Sequence, residues 1–135
     1  GIINKKKESD LADHSIEKYS IKANSSNQEV VLLSGGNQQK LAIAKVLATD
    51  PKVVILCEPT RGVDVNGKVE IYTIMNQLLE KKKAVILISS EIPEILGMSD
   101  RIMVIYKGRM VYEAKNIDLK QEDIMAYATG GYQNE

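Results

Sequence analysis

The apolar residues of the chain follow two patterns, one with helical spacing and one of short continuous runs. Between Gly35 and Ala48 they recur at helical spacing, and Asp50-Pro51 ends this helix because the residue before a proline is pushed out of the α region. The run VVIL at 53–56 then predicts a strand that is buried on both faces. A helix over 68–79 and a second buried strand over 84–88 repeat this order. Alternating helices and buried strands predict an α/β fold with a mainly parallel sheet.

The residues on either side of this centre predict further short elements. A helix over 91–96 precedes RIMVIYKGRMVYE, in which two β-rich runs around Lys107-Gly108 predict a hairpin. A last helix is predicted over 120–128, with Gly130 and Gly131 beyond its end. In the polar amino-terminal part, KKKESDLADHSIEKY predicts a short helix and KANSSNQE predicts a loop.

Composition narrows the class of protein without naming a partner. The chain has 135 residues, about one domain, and its 18 basic and 18 acidic side chains create no net field toward nucleic acid or an anionic membrane. A single cysteine, Cys57, cannot form an internal disulfide, which is typical of a reducing compartment. The longest apolar runs, VVILC and AVILI, are far shorter than the roughly 20 residues of a spanning helix. These features predict a cytoplasmic, soluble piece of protein.

The stretch LSGGNQQK at 33–40 has the residue types of a phosphate site at a helix start. Ser34 occupies the N-cap position, and Gly35 and Gly36 lack a Cβ, so a ligand can approach N–H groups that the first helical turn leaves unpaired. The partial positive charge of the helix end favours an anion there. The alternative is that Ser-Gly-Gly is only a loop that begins a helix.

A carboxylate follows the first predicted strand, in VVILCEPTRGVD. Glu58 lies at the carboxyl end of that strand, where open α/β sheets bind their ligands. The alternative is a strand-end carboxylate that only caps or solvates a turn. The sequence Pro59-Thr60-Arg61-Gly62 that follows favours the functional interpretation.

Taken together, these motifs resemble those of the ATP-binding cassette ATPases. LSGGNQQK resembles the family's signature loop, VVILCEPTRGVD its Walker B strand, catalytic glutamate and D-loop, and ILISSEIPEILGMSDRIMVIYKGRM its switch region. The wording is similar to the second nucleotide-binding domain of double-cassette ATPases that power sugar and nucleoside importers. The resemblance covers about residues 30–115, with the motifs in the family's order.

The resemblance implies a role for each matching residue. In the family, two cassettes pack head to tail with ATP between the phosphate loop and Walker B of one and the signature loop of the other. Ser34, Gly35, Gly36 and Gln38 would then contact the γ-phosphate of ATP held mainly by the partner cassette. Glu58 would orient or deprotonate the attacking water, and Asp64 would be the D-loop residue that communicates across the sandwich.

Two substitutions depart from the family's pattern. Cys57 replaces the usual aspartate that holds Mg²⁺ through water, and a thiol is a poor ligand for that hard cation, so Cys57 is expected to be a small buried hydrophobe and no metal ligand is assigned. Ser90 replaces the switch histidine that faces the γ-phosphate. The only histidine, His14, lies in the polar helix and is expected to be a solvated surface residue. The cassette's own site is therefore expected to be degenerate.

The sequence also lacks G-x-x-x-x-G-K-[ST], the loop that wraps the β- and γ-phosphates of ATP. The resemblance then implies the carboxyl-terminal half of a cassette, with residues 1–32 a remnant of the helical subdomain and linker. Residues 33–135 would carry the signature loop, Walker B strand, D-loop, switch region and the carboxyl-terminal part of the nucleotide-binding domain. Such a half is expected to be inactive alone, although the intact ATPase would use ATP and Mg²⁺.

Three functions are compatible with these observations. The first is part of an ATPase that drives import of a sugar or nucleoside, located on the cytoplasmic face of the cell membrane. Its partners would be a second cassette, transmembrane permease subunits and, indirectly, a solute-binding protein. The second, a DNA-maintenance ATPase of the same superfamily, needs a coiled-coil insertion and a basic surface that this sequence lacks, so no nucleic acid partner is expected. The third is a non-catalytic assembly cassette, which Cys57 and Ser90 favour.

The missing phosphate loop has a consequence for the sheet. In the family, the strand before that loop lies between the strands that match 84–88 and 101–105. Without it, the chain is expected either to pair those two strands directly or to cover the exposed edge in a homodimer or exchanged-strand oligomer.

Overall fold

A computed structural model describes residues 4–131 of the protein. The elements are, in chain order, α1 (Lys5–Lys18), a 3₁₀ turn (Val30–Leu32), α2 (Gly35–Leu47), β1 (Val53–Cys57), α3 (Val65–Glu80), β2 (Ala84–Ile88), α4 (Ile92–Met98), β3 (Arg101–Tyr106), β4 (Arg109–Lys115) and α5 (Gln121–Ala128). They divide into two compact units. Within residues 4–131, the first comprises residues up to Ile55 and Pro59–Ile86, and the second comprises Leu56–Glu58 and the residues from Leu87 onward.

The first unit contains α1, α2 and α3. The Asn4 side chain accepts hydrogen bonds from the N–H groups of Lys6 and Lys7 and so caps α1. Helix α2 ends at Leu47, before Asp50-Pro51, as the sequence predicts. The core of the first unit consists of buried apolar side chains from the helices and from β1. They are Ile43, Ala44, Val54, Ile71, Ile74, Met75 and Leu78.

Strands β1 and β2 form a parallel pair. The Ala84 N–H donates to the Lys52 carbonyl and the Glu58 N–H to the Ile88 carbonyl, so the strands run in the same direction. The prediction that both strands are buried on both faces is wrong. Val54 and Leu56 are buried, whereas Val53 and Ile55 are 52% and 63% exposed. Only one face of this two-stranded sheet is covered by the described residues.

The second unit is built on the antiparallel hairpin of β3 and β4, as predicted. Its turn is Lys107-Gly108, and both residues have positive φ, 47° and 76°, as a two-residue type I′ turn requires. Ile102 and Val104 of β3 and Ile124 of α5 form the core of this unit. Helix α5 ends at Ala128, with Gly130 at φ 79° beyond it, which matches the predicted helix end.

The order of the strands settles one of the two expectations about the sheet. Over residues 4–131, β1 pairs with β2 and β3 pairs with β4, in two separate two-stranded sheets. The expected direct pairing of 84–88 with 101–105 is therefore wrong. β3 bonds along its length to β4, which the two-residue turn brings alongside it without a long loop closure.

An ion pair joins the loop between α2 and β1 to the loop between α3 and β2. Lys83 Nζ donates to Asp50 Oδ1 at 2.6 Å and to the Pro51 carbonyl at 2.7 Å. The hydrogen bond and positive charge of Lys83 hold the pKa of the Asp50 carboxyl below its ordinary value. The pKa of Asp50 is lower in the folded state than in the unfolded state, so its ion pair with Lys83 stabilises the fold above the ordinary pKa of an aspartate. This contribution to folding stability is lost as the pH falls through the folded pKa of Asp50.

We expect Lys83→Met to raise the pKa of Asp50 toward its ordinary value, because it removes both the hydrogen bond and the nearby charge. An NMR titration of the Asp50 side-chain carboxyl measures this change directly. Lys82→Met is the matched control, since Lys82 is not among the groups that shift Asp50. A pKa that stays low in Lys83→Met would show that another group stabilises the carboxylate.

Candidate functional site

The LSGG segment forms the start of α2, as predicted. Ser34 is the N-cap residue, with φ −61° and ψ 156°, and its carbonyl accepts the first helical hydrogen bond, from the Gln38 N–H at 2.9 Å. The N–H groups of Gly35, Gly36 and Asn37 have no helical carbonyl to bond, and the Ser34 side chain caps none of them. Ser34 and Gly35 are exposed and Gly36 is half-buried. The helix start can therefore receive an anion.

Gly36 also has a packing role that the sequence did not indicate. A Cβ on Gly36 would lie 3.3 Å from Val63 Cγ1 and 4.0 Å from the Cα of Gly67, in the first turn of α3. A Cβ on Gly67 would collide with Val63 Cγ1 and lie 3.0 Å from Asp64 Oδ1. Helices α2 and α3 therefore approach closely at two glycines. This contact places the signature loop beside the segment that carries Asp64.

The two residues after Gly36 are held by hydrogen bonds to segments that precede them in the chain. Gln38, predicted to contact phosphate, is exposed, and its Nε2 donates to the Leu33 carbonyl at 2.9 Å. Asn37, which the prediction overlooked, is buried. Its Oδ1 accepts from the Lys22 N–H at 2.9 Å, and its Nδ2 donates to Ser34 Oγ at 2.8 Å. The one sequence signal for Asn37 is an amide side chain three residues after the N-cap serine.

Lys40, at the end of the motif, is only 2% exposed. Its Nζ donates to the Ser20 carbonyl at 2.5 Å and to Glu70 Oε2 of α3 at 2.7 Å. The Glu70 side chain is 41% exposed, so solvent screens its part of the pair. Lys40 therefore ties α2 to the segment after α1 and to α3.

We expect Lys40→Ala to lower the free energy of unfolding by about 2–3 kcal/mol, because it removes hydrogen bonds of a buried charged group and leaves the Ser20 carbonyl without this donor. Glu70→Gln is the matched control and should cost much less, since the partly exposed amide oxygen can still accept from Lys40. Urea unfolding followed by circular dichroism measures both variants. Equal losses would mean that the exposed ion pair, rather than the bond to Ser20, dominates.

Asp64 is the N-cap residue of α3. Its Oδ1 accepts from the Gly67 N–H at 2.7 Å, which satisfies one of the first donors of that helix. Asp64 is exposed and belongs to the first unit, together with the signature loop. The carboxylate thus has a structural partner, and its role across a two-cassette sandwich stays a prediction.

Glu58 and Ser90 lie together in the second unit. Glu58 directly follows β1 and has φ 48°, a left-handed conformation that costs a non-glycine residue about 1–2 kcal/mol. Its Oε1 accepts a hydrogen bond from the Ser90 N–H at 2.9 Å, and its own N–H donates to the Ile88 carbonyl at 2.8 Å. The backbone of residue 90, rather than its side chain, therefore positions the carboxylate. Glu58 is half-buried and Ser90 is exposed.

Cys57 contradicts one expectation and His14 confirms another. Cys57 is exposed rather than buried, because it lies on the uncovered face of β1 with Val53 and Ile55. His14 is exposed in α1, as expected. Among residues 4–131, no group of three or more His, Cys, Asp or Glu side chains could hold a metal ion. No helix within that range has both the length and the apolar character needed to cross a membrane.

These motifs on an α/β framework are similar to those of the ATPase subunits of ABC transporters. A family model described as ABC transporter matches residues 3–61. Over these residues the chain is similar to a family of ATPases that use ATP and Mg²⁺. Its sequence is 53% identical over 131 residues to the ribose import ATP-binding protein RbsA of Bacillus subtilis, covering 97% of this chain and 27% of that protein. The RbsA of Oceanobacillus iheyensis is 50% identical over 135 residues, with coverages of 100% and 27%. The chain thus spans about a quarter of the length of these relatives.

Solved structures support the same fold. A dimeric bacterial ABC transporter cassette aligns with a TM-score of 0.73 and 23% identity, covering 88% of this chain and 51% of that one. The cassette cbiO1 from Clostridium perfringens aligns with a TM-score of 0.71 and 23% identity, covering 98% and 53%. The predicted α/β class, part of an ABC-type cassette, is confirmed.

Proposed function

We propose that this chain is part of the ATP-binding subunit that couples ATP binding and hydrolysis to import of a sugar, with ribose the leading candidate. The observation that carries the proposal is the start of α2, where Ser34, Gly35 and Gly36 leave a hydroxyl and unpaired N–H groups available to an anion. Sequence identity to proteins named for ribose import supports the choice of solute. A nucleoside, which the sequence motifs also allow, is the competing solute.

In this proposal, the signature loop contacts the γ-phosphate of ATP held by the phosphate loop of a second cassette. The Ser34 hydroxyl and the N–H groups of Gly35 and Gly36 donate to phosphate oxygens. Gln38 lies beside them and holds the loop through its bond to the Leu33 carbonyl. Asp64 caps α3 through its bond from the Gly67 N–H and is proposed as the D-loop residue that communicates across the two-cassette sandwich.

Glu58 is proposed as the carboxylate that orients the attacking water. The Ser90 N–H holds one carboxylate oxygen and leaves the other for the water. Ser90 replaces the family's usual histidine and offers the γ-phosphate only a hydroxyl. The chain's own residues do not fit Mg²⁺, since Cys57 supplies a soft exposed thiol where an oxygen ligand is needed.

The partners follow from the same proposal. A second cassette supplies the phosphate loop, and permease subunits hold the ATPase at the cytoplasmic face of the cell membrane, with a solute-binding protein engaged indirectly. No nucleic acid partner is proposed, because the 18 basic and 18 acidic side chains balance.

ATP-driven uptake tests the proposal. A full-length ATPase that contains this chain, reconstituted with its permease and binding protein in vesicles, should take up radiolabelled ribose only with ATP. The Ser34→Ala variant should lose most of the uptake and hydrolysis. Uptake of a nucleoside but not of ribose would show that the transported solute is a nucleoside. ATP hydrolysis that does not change in Ser34→Ala would reject the proposed role of the signature loop.

A second candidate is a cassette that assembles the ATPase without hydrolysing ATP at its own site. The exposed thiol of Cys57 and the serine at position 90 favour it. The two candidates differ in the effect of Glu58→Gln. This variant should leave turnover unchanged for an assembly cassette and should reduce it about 100-fold or more for a hydrolytic site.

We expect the isolated chain to form a homodimer through the uncovered face of the β1–β2 sheet. Val53, Ile55 and Ile86 are 52%, 63% and 41% exposed there, and the balanced charge of the chain gives little self-repulsion. Size-exclusion chromatography with light scattering should give twice the monomer mass. Ile55→Lys should shift it to a monomer, whereas Val31→Lys, at an exposed site in the 3₁₀ turn, should not. A monomeric parent chain would contradict this expectation.

A further inference from the structure

Asn37 connects the segment after α1 to the signature serine. Its Oδ1 accepts from the Lys22 N–H at 2.9 Å, and its Nδ2 donates to Ser34 Oγ at 2.8 Å. The Asn37 side chain is buried, with 8% exposure, whereas Ser34 is exposed. The amide oxygen of Asn37 is therefore held by the Lys22 backbone, while the amide nitrogen contacts Ser34 at the helix start.

The chemistry of the two partners fixes the orientation of this amide. A backbone N–H can only donate, so the atom that faces Lys22 must be the amide oxygen. The Nδ2 group then faces Ser34 and donates to its oxygen. A serine hydroxyl has one hydrogen to donate. Since Ser34 Oγ accepts from Asn37, its own hydrogen remains available for another acceptor.

The backbone donor that fixes Asn37 is itself held in place. Residues 20–22 follow α1, and the side chains of Tyr19 and Ile21 are buried. The Ser20 carbonyl accepts from Lys40 Nζ, one helical turn after Asn37 on α2. Two side chains of α2 therefore bind the same short segment.

We propose that Asn37 is a positioning residue that directs the Ser34 hydroxyl hydrogen toward the γ-phosphate. The Lys22 N–H fixes the orientation of the Asn37 amide, so that its Nδ2 group faces Ser34. This inference rests on the proposed function of the signature loop. Asn37 does not contact the phosphate in this scheme. It acts by occupying a lone pair of Ser34 Oγ, so that the hydroxyl meets the anion as a donor without reorganisation.

A double-mutant cycle of Ser34 and Asn37 tests the inference in a full-length two-cassette ATPase that contains this chain. We expect Ser34→Ala to reduce kcat for ATP by roughly 100-fold and Asn37→Ala by roughly tenfold. If Asn37 acts only through the Ser34 hydroxyl, the double variant loses roughly 100-fold, the same as Ser34→Ala alone. A purely structural contribution of Asn37 would multiply the two losses to roughly 1,000-fold.

Asn37→Asp provides an isosteric check on folding. Its carboxylate still accepts from the Lys22 N–H, so urea unfolding should show a smaller loss of stability than for Asn37→Ala. It cannot donate to Ser34 and instead accepts the hydroxyl hydrogen, so its kcat should fall at least as far as that of Asn37→Ala.

The outcomes separate the inference from the proposal beneath it. An unchanged kcat in Ser34→Ala rejects the signature-loop function, and the inference with it. A reduced kcat in Ser34→Ala combined with fully multiplicative losses rejects only the orienting role of Asn37. A stable Asn37→Asp with unreduced kcat also overturns that role.

Discussion

Gly36→Asp in a two-cassette ATPase that contains this chain should lower ATP turnover by about 100-fold or more. Gly36 lies in the first turn of α2, where unpaired N–H groups and the positive helix end favour an anion. An aspartate there offers those donors an internal carboxylate and repels the γ-phosphate. Its Cβ would also lie 3.3 Å from Val63 Cγ1, so the contact between α2 and α3 has to shift. Steady-state phosphate release measures the change.

Three control variants test the contact with Val63 and the role of residue 90. Gly36→Ala adds only the Cβ, and combining it with Val63→Ala relieves the contact, so the double variant should recover turnover that Gly36→Ala loses. Ser90→Ala should have a much smaller effect than Gly36→Asp, since residue 90 holds Glu58 through its backbone N–H. Equal losses for Gly36→Asp and Ser90→Ala would contradict the distinction between a working partner site and a degenerate own site.

The isolated chain should bind Mg-ATP too weakly to measure and should not hydrolyse it. The sequence has no phosphate loop, and the signature loop offers only a few donors to the far end of the nucleotide. Loss of most phosphate contacts removes several charge-assisted hydrogen bonds, each stabilising by about 1.5–3 kcal/mol. Isothermal titration calorimetry should therefore show no saturable heat in the micromolar range.

A positive control makes this result interpretable. The full-length two-cassette ATPase, titrated under the same conditions, should give saturable heat. The far-ultraviolet circular dichroism of the isolated chain should show folded helices, so that a lack of binding is not a lack of structure. Saturable micromolar binding by the folded chain would contradict the expectation.

The elements that the sequence predicted well are those with local causes. Asp50-Pro51 ends α2 through backbone sterics. Lys107-Gly108 forms the hairpin turn because two residues with positive φ fit the twist of the strands. The bounds of β2 agree with the prediction, and those of the helices differ by one to three residues at an end. Such features depend on neighbours in sequence, which a single chain displays directly.

The errors concern burial and strand pairing, which depend on distant segments. Apolar runs at 53–56 and 84–88 indicated strands with two covered faces, but Val53 and Ile55 are exposed. Cys57 was expected to be buried for the same reason and is exposed on that face. A run of β-branched residues reports that a strand forms, and it does not report which segments cover it.

The sequence proposed a site at the level of motifs rather than contacts, and the roles of its residues stay predictions. Ser34 and Gly36 were identified by residue type at a helix start, and Glu58 by its position after a strand. Asn37 was missed because its partners, Ser34 and the backbone of Lys22, are joined by a side-chain geometry that spacing alone does not encode. The N-cap bond of Asp64 was likewise visible only in the structure.

The close approach of Gly36 and Gly67 beside Val63 restricts how this sequence can diverge. A methyl group at 67 collides with Val63 Cγ1, so an alanine there is accommodated only with a smaller residue at 63. Substitutions at positions 36, 63 and 67 therefore depend on one another, although 36 and 63 belong to different motifs. Engineered libraries that vary one of these motifs alone keep this contact as a constraint, whereas libraries that vary the three positions together can relieve the contact with Val63.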